Sequence, residues 1–104
     1  MRKRWTDERL AEALPALLDE AGMSSRALGR AINIDQAHIS RVMNGLMPAS
    51  RELAARVAKH FGLPIDHFPD YREAAAIEAI RDDPALRDRV YRNLKRGGRG
   101  AKRR

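Results

Sequence analysis

The chain has 104 residues, 21 Lys or Arg against 14 Asp or Glu, a formal net charge of +7 and no cysteine. That length suits one domain with short appendages, the missing cysteines exclude a disulfide scaffold, and the basic balance points to a polyanionic partner. No apolar run is long enough to cross a bilayer, and Arg2-Lys3-Arg4 leads into Trp5-Thr6-Asp7-Glu8 instead of an apolar leader, so a reduced cytoplasmic location is expected.

Residues 1–5 form a basic arm in which Arg2, Lys3 and Arg4 carry three charges. Thr6 is a candidate cap for a first helix through about Ala21, with Leu10, Leu14, Leu17 and Leu18 as its buried stripe and Gly22 as its stop. Pro15 removes a backbone donor and crowds the carbonyl of Ala11, which predicts a kink or a separate first turn.

Ser24 can cap a second helix whose apolar edge is Leu28 and Ile32, and Asn33 stands where the chain must turn sharply. Asp35 is then expected to cap a third helix. Its Ile39, Val42 and Met43 point inward at helical spacing, leaving Gln36, Ala37, Ser40 and Arg41 outside. A short helix with a polar outer face is of a size to enter the major groove of DNA, and those four residues are the candidate readers of base edges. Free amides at the start of the second helix favour an anion, which makes Ser24 and Ser25 candidate phosphate contacts, with Asn44 on the other side of the reading helix. Arg26, Arg51 and His38 complete the phosphate set, although a lone histidine between core and groove is more often packed or solvated than functional.

Gly45-Leu46-Met47-Pro48 reads as a loop. Ser50 then caps a fourth helix with Leu53, Ala54, Val57, Ala58 and Phe61 facing the core before Gly62, and residues 63–68 are expected to add one more short helix. Beyond Pro69 the helical signals continue: Tyr71, Ala74, Ile77 and Ile80 share one side, and Asp83-Pro84 restarts a helix carrying Leu86, Val90, Tyr91 and Leu94. This apolar pair of helices either covers the bundle or packs against a second copy. Pairing is favoured, because a single small recognition module rarely binds tightly. Residues 95–104, rich in glycine and like charge, are expected to be disordered, with Arg99, Lys102, Arg103 and Arg104 as a second DNA arm or simply a solubilising end.

Charge follows this plan. The two ends leave residues 5–94 with a net −2, yet within them residues 21–65 hold six Lys or Arg against Asp35 and Glu52, a local +4. Positive charge thus accompanies the segment that would read DNA.

Leu28, Ile34, Ile39 and Val42, the run Ile39-Ser40-Arg41, and Asn44-Gly45 before another capped helix stand together at one spacing. Over about residues 10–68 this constellation resembles the helix-turn-helix domain of the phage repressor and Cro-type family, often called the XRE family. Gly29 departs from the family's usual Ala, Asn33 from Gly, and Met43 from a common Glu; Asp35 replaces a Ser or Thr that can donate to a phosphate, where a carboxylate would be repelled. The resemblance implies an all-α fold, a five-helix repressor-like bundle over residues 6–69, to which the periodicity and composition beyond Pro69 add two extra C-terminal helices over residues 70–94 and the disordered basic tail. It further implies a sequence-specific, double-stranded-DNA-binding transcriptional regulator, a repressor acting as a homodimer, associated with the nucleoid and needing no cofactor. Within that arrangement the outward residues that reach base edges are Gln36, Ala37 and Arg41. Arg outnumbers Lys by 17 to 4, which suits a GC-rich bacterial or phage genome.

The same residues bear on other classes of function. His38 and Ser40 diverge on a helix, His60 and His67 lack cysteine companions for zinc, and no glycine-rich phosphate loop follows a strand, so an enzyme is not expected. Two alternatives remain: an antitoxin that represses its own operon while residues 71–94 bind a toxin protein, and a bundle used only for protein-protein interaction.

Overall fold

The computed structural model describes residues 5–102, and among them it holds six helices and no strand. These are α1 (Leu10–Ala21), α2 (Ser25–Ile32), α3 (Gln36–Met43), α4 (Arg51–His60), α5 (Pro69–Asp82) and α6 (Pro84–Lys102). The all-α architecture is the one expected. The chain divides into a first unit ending at Ala74 and a second beginning at Ala75.

In the first unit the apolar stripes converge on one core. Leu10, Ala13, Leu14 and Leu18 come from α1, Leu28 and Ile32 from α2, Ile39 and Val42 from α3, and Leu53, Ala54, Val57 and Ala58 from α4. Phe68 joins them from the turn before α5. Each large side chain buried this way stabilises the unit by about 1.5–3 kcal/mol, which is how helices as short as eight residues hold their shape. Leu17, Met43 and Phe61, also expected inside, lie half-buried at the rim.

The start of α1 departs from expectation. The helix begins at Leu10, so Thr6 does not cap it; the Thr6 hydroxyl instead accepts from the Glu8 N–H at 3.1 Å. The reason is that the entry segment is tied elsewhere. Thr6 N–H donates to the His67 carbonyl (3.0 Å), Arg72 donates to the Thr6 carbonyl (2.8 Å), and the Arg72 guanidinium stacks on Trp5 at 4.5 Å. Asp70, only 8% exposed, caps α1 from afar by accepting the Leu10 N–H at 2.8 Å. That carboxylate lies in the first turn of α5 as well, so the positive ends of two helices share one buried anion. Arg9 is hydrogen-bonded to Glu73. This bond, reinforced by their opposite charges, holds the Glu73 carboxyl below its ordinary range and pushes Arg9 up.

Pro15 sits inside α1 without a separate first turn, since Leu10, Leu14 and Leu18 anchor the helix on both sides of it. Residues 63–68 form a turn, closed by His67 N–H to the Pro64 carbonyl at 2.9 Å, and not the short helix expected. Pro64 and Pro69 explain it, because a residue preceding proline is pushed out of the α region.

In the second unit Asp83 caps α6 by accepting the Leu86 N–H at 3.2 Å, with Pro84 in the first helical position as anticipated. Ile80, Leu86 and Val90 are half-buried, whereas Ile77, Tyr91 and Leu94 are 53%, 60% and 63% exposed. Helix α6 continues to Lys102, which corrects the expectation of a wholly disordered tail from residue 95. Once nucleated at a capped start, a helix extends one bond per residue, and even glycine costs only about 1 kcal/mol per position. Among the described residues no helix is long and apolar enough to cross a membrane.

Candidate nucleic-acid interface

The turn between α2 and α3 is set by three local devices. Ser24 caps α2 as expected, its hydroxyl accepting the Ala27 N–H at 3.0 Å. Asn33 takes the left-handed conformation (φ 60°, ψ 48°), the role the sequence assigned to it. Ile34 N–H then turns back to the Gly29 carbonyl at 2.9 Å.

This return brings the chain so close to α2 that a Cβ on Gly29 would stand 2.6 Å from the Ile34 carbonyl oxygen. The family's usual alanine is therefore excluded here unless the turn opens. Gly29→Ala should cost about 1–3 kcal/mol, the range for overpacking a well-filled site. Thermal melting checks this, and an unchanged melting temperature would show that the turn yields freely.

Asp35 precedes α3 but its carboxylate makes no cap hydrogen bond, contrary to expectation. Ser24 and Ser50, which do cap, have ψ of 164° and 162°, whereas Asp35 sits at 131° with φ −57°, a backbone rotation that swings the side chain away from the first-turn amides. The start of α3 is closed instead by the Asp35 carbonyl, which accepts from His38 and Ile39 at 3.0 and 3.2 Å.

Helix α3 buries Ile39 and Val42 and turns Gln36, Ala37, Ser40 and Arg41 to the opposite side, three of them half-buried and Arg41 exposed. The Gln36 amide nitrogen donates to the Ser25 hydroxyl at 3.3 Å, so the first residue of α2 orients the first residue of α3. The remaining amide proton and the carbonyl oxygen of Gln36 stay available as a donor-acceptor pair. Between the two helices lies a cleft of about 320 Å³ lined by Arg26, Arg30, Asn33, Asp35 and Gln36. Arg30, which the motif does not single out, lies four residues after Arg26 on α2 and hence on the same face, a spacing the sequence does show.

The candidate phosphate residues fall at the edges of this face. Ser24 and Ser25 stand at the start of α2, whose first amides have no intrahelical partner. Arg26 is exposed and His38 half-buried. Asn44 closes α3, its N–H donating to the Ser40 carbonyl at 3.0 Å, and is exposed. Arg51 opens α4 and is stacked on Tyr71 at 5.0 Å with a 3.5 Å hydrogen bond to its hydroxyl, so α5 holds it in place, a pairing not anticipated. Of the proposed arms, Arg2, Lys3, Arg4, Arg103 and Arg104 lie outside the described residues, and Arg99 and Lys102 fall on α6 in the second unit. Among the described residues no group of three His, Cys, Asp or Glu side chains is placed to hold a metal ion.

Comparison with known proteins agrees with this geometry. A family model described as helix-turn-helix matches residues 16–68, just over half of the chain. The fold is similar to that of PA4674 from Pseudomonas aeruginosa, solved in complex with its 18-bp operator DNA, with a TM-score of 0.55, 21% sequence identity, and coverage of 72% of this chain and 86% of that one. No curated protein matches the sequence.

Proposed function

The chain belongs to the XRE-type helix-turn-helix family, and we propose that it is a sequence-specific transcriptional regulator, a repressor, that binds double-stranded DNA with α3 in the major groove. The observation that carries this reading is the single outward face of Gln36, Ala37, Ser40 and Arg41, set beside the open start of α2 within a segment of local charge +4. Gln36 suits adenine and Arg41 suits guanine, each through a two-point hydrogen-bond match, while Ala37 can meet a thymine methyl. Ser24, Ser25, Arg26, Asn44 and Arg51 then supply position without sequence information. Arg30 joins them from the cleft. A protein of this kind acts in the cytoplasm, at the nucleoid.

The exposed Ile77, Tyr91 and Leu94 support a homodimer in which the second unit pairs two copies. Pairing would set two α3 helices about 34 Å apart on successive grooves. An 18-bp duplex, the length bound by PA4674, has room for two such half-sites. The same exposed side chains would serve the antitoxin reading, with a toxin protein as the partner.

Selection from a pool of randomised duplexes tests the proposal. Enrichment of an inverted repeat with half-sites one helical turn apart is expected. Recovery of a lone asymmetric site would remove the dimer, and no enrichment at moderate salt would remove the DNA reading altogether.

A further inference from the structure

We propose that Arg56, on α4, is a positioning residue for sequence reading: it clamps the turn between α2 and α3 and thereby fixes how α3 is presented. The inference rests on the DNA-reading role of α3.

One nitrogen of the Arg56 guanidinium, Nη1, donates to both the Ile32 carbonyl (2.9 Å) and the Asn33 carbonyl (3.2 Å), while Nη2 pairs with Glu52 one turn earlier on α4. Those two carbonyls end α2, where the last helical acceptors have no intrahelical donor and the helix dipole is negative, so a cation is favoured there twice over. Glu52 in turn holds the fork in register. The residue being clamped, Asn33, occupies the left-handed region, which asparagine tolerates but at a greater cost than glycine, so bonds to the carbonyls on either side of that turn help to hold it. Gln36 follows three residues later and opens the reading helix. A rotation of the Asn33 peptide would therefore be carried directly into the base-contacting face. Arg56 itself belongs to α4, and its bonds end on the turn, so it acts through the turn and not by touching bases.

Lys59 supplies the control. It is on the same helix, exposed, carries the same charge, and among the described residues its ammonium group makes no hydrogen bond or ion pair. Affinities for a selected duplex and a scrambled duplex of equal length would be measured for the parent protein and for Arg56→Met, Arg56→Lys and Lys59→Met. Arg56→Met should reduce the ratio of selected to scrambled affinity about tenfold, and Arg56→Lys, which keeps a charged donor, should regain part of it. Lys59→Met should leave that ratio within about twofold, because it removes charge alone. An unchanged ratio in Arg56→Met, or an equal fall in Lys59→Met, overturns the inference, as does a lower melting temperature with the ratio preserved.

Amide exchange at Ile34 without DNA gives a second readout, expected to quicken about tenfold in Arg56→Met and to recover in Arg56→Lys. No change there also overturns the clamp. If the parent protein itself prefers no duplex, the DNA reading fails while the exchange measurement still judges Arg56. If Arg56→Met does not fold, Arg56→Lys decides on the affinity ratio, where a value equal to the parent protein's overturns the inference.

Discussion

Phe68→Ala should lower the stability of the first unit by about 3–5 kcal/mol, the usual loss for truncating a buried aromatic ring. Such a loss is a large share of the 5–15 kcal/mol typical of a domain, so the variant should melt far below the parent protein. Phe68 is 1% exposed and is the largest fully buried side chain of the core, yet it comes from a turn. A ring held by a turn can be followed by little collapse, because the prolines at 64 and 69 fix the chain on either side. Its loss would also loosen the start of α5, and with it Asp70, the distant cap of α1. Urea unfolding followed by far-UV circular dichroism measures the effect. A change below about 1 kcal/mol would mean that the four helices make the core without the ring.

The contrast between Phe68 and the other core residues shows what a sequence of this kind reveals. Leu10, Leu14 and Leu18, or Leu53, Ala54, Val57 and Ala58, announce themselves by their spacing, because a helix repeats every 3.6 residues and one face must be buried. Ser24, Ser50 and Asn33 are legible for a related reason, since capping and left-handed turns are decided by the residue and its nearest neighbours. The outward face of α3 follows at once as the complement of Ile39 and Val42.

Polar partners far apart in the chain have no such period. Nothing near Leu10 says that a carboxylate 60 residues away will accept its amide, nor that Arg72 will pin Trp5 and Thr6, nor that Arg56 will reach the end of α2. Asp35 is the instructive failure among the local features. It has a side chain that can cap, in the right position, yet at its φ of −57° and ψ of 131° that side chain makes no cap hydrogen bond. The same limit applies to the site. Gln36 is legible as a candidate reader from its outward place on α3, but its bond to Ser25 exists only because the turn brings the first residues of α2 and α3 together.

That bond bears on the second large effect. Replacing Gln36 and Arg41 together with alanine should reduce discrimination between the selected duplex and a scrambled one by about 2–6 kcal/mol, taking about 1–3 kcal/mol for each two-point base contact. The loss should appear in the preference and much less in the affinity for scrambled DNA, since the cations and amides that would meet the phosphates remain. Folding should be little affected, because Arg41 is exposed and the Gln36 to Ser25 hydrogen bond is only half-buried, a contact whose net contribution is about 1 kcal/mol. The single variants separate the two roles: each should relax one position of the site in a repeated selection, an adenine position for Gln36→Ala and a guanine position for Arg41→Ala. Should Arg41→Ala instead weaken every duplex equally and flatten the salt dependence by about one phosphate, Arg41 would be an anchor on the backbone, and sequence reading would rest on Gln36 and Ala37 at the start of α3.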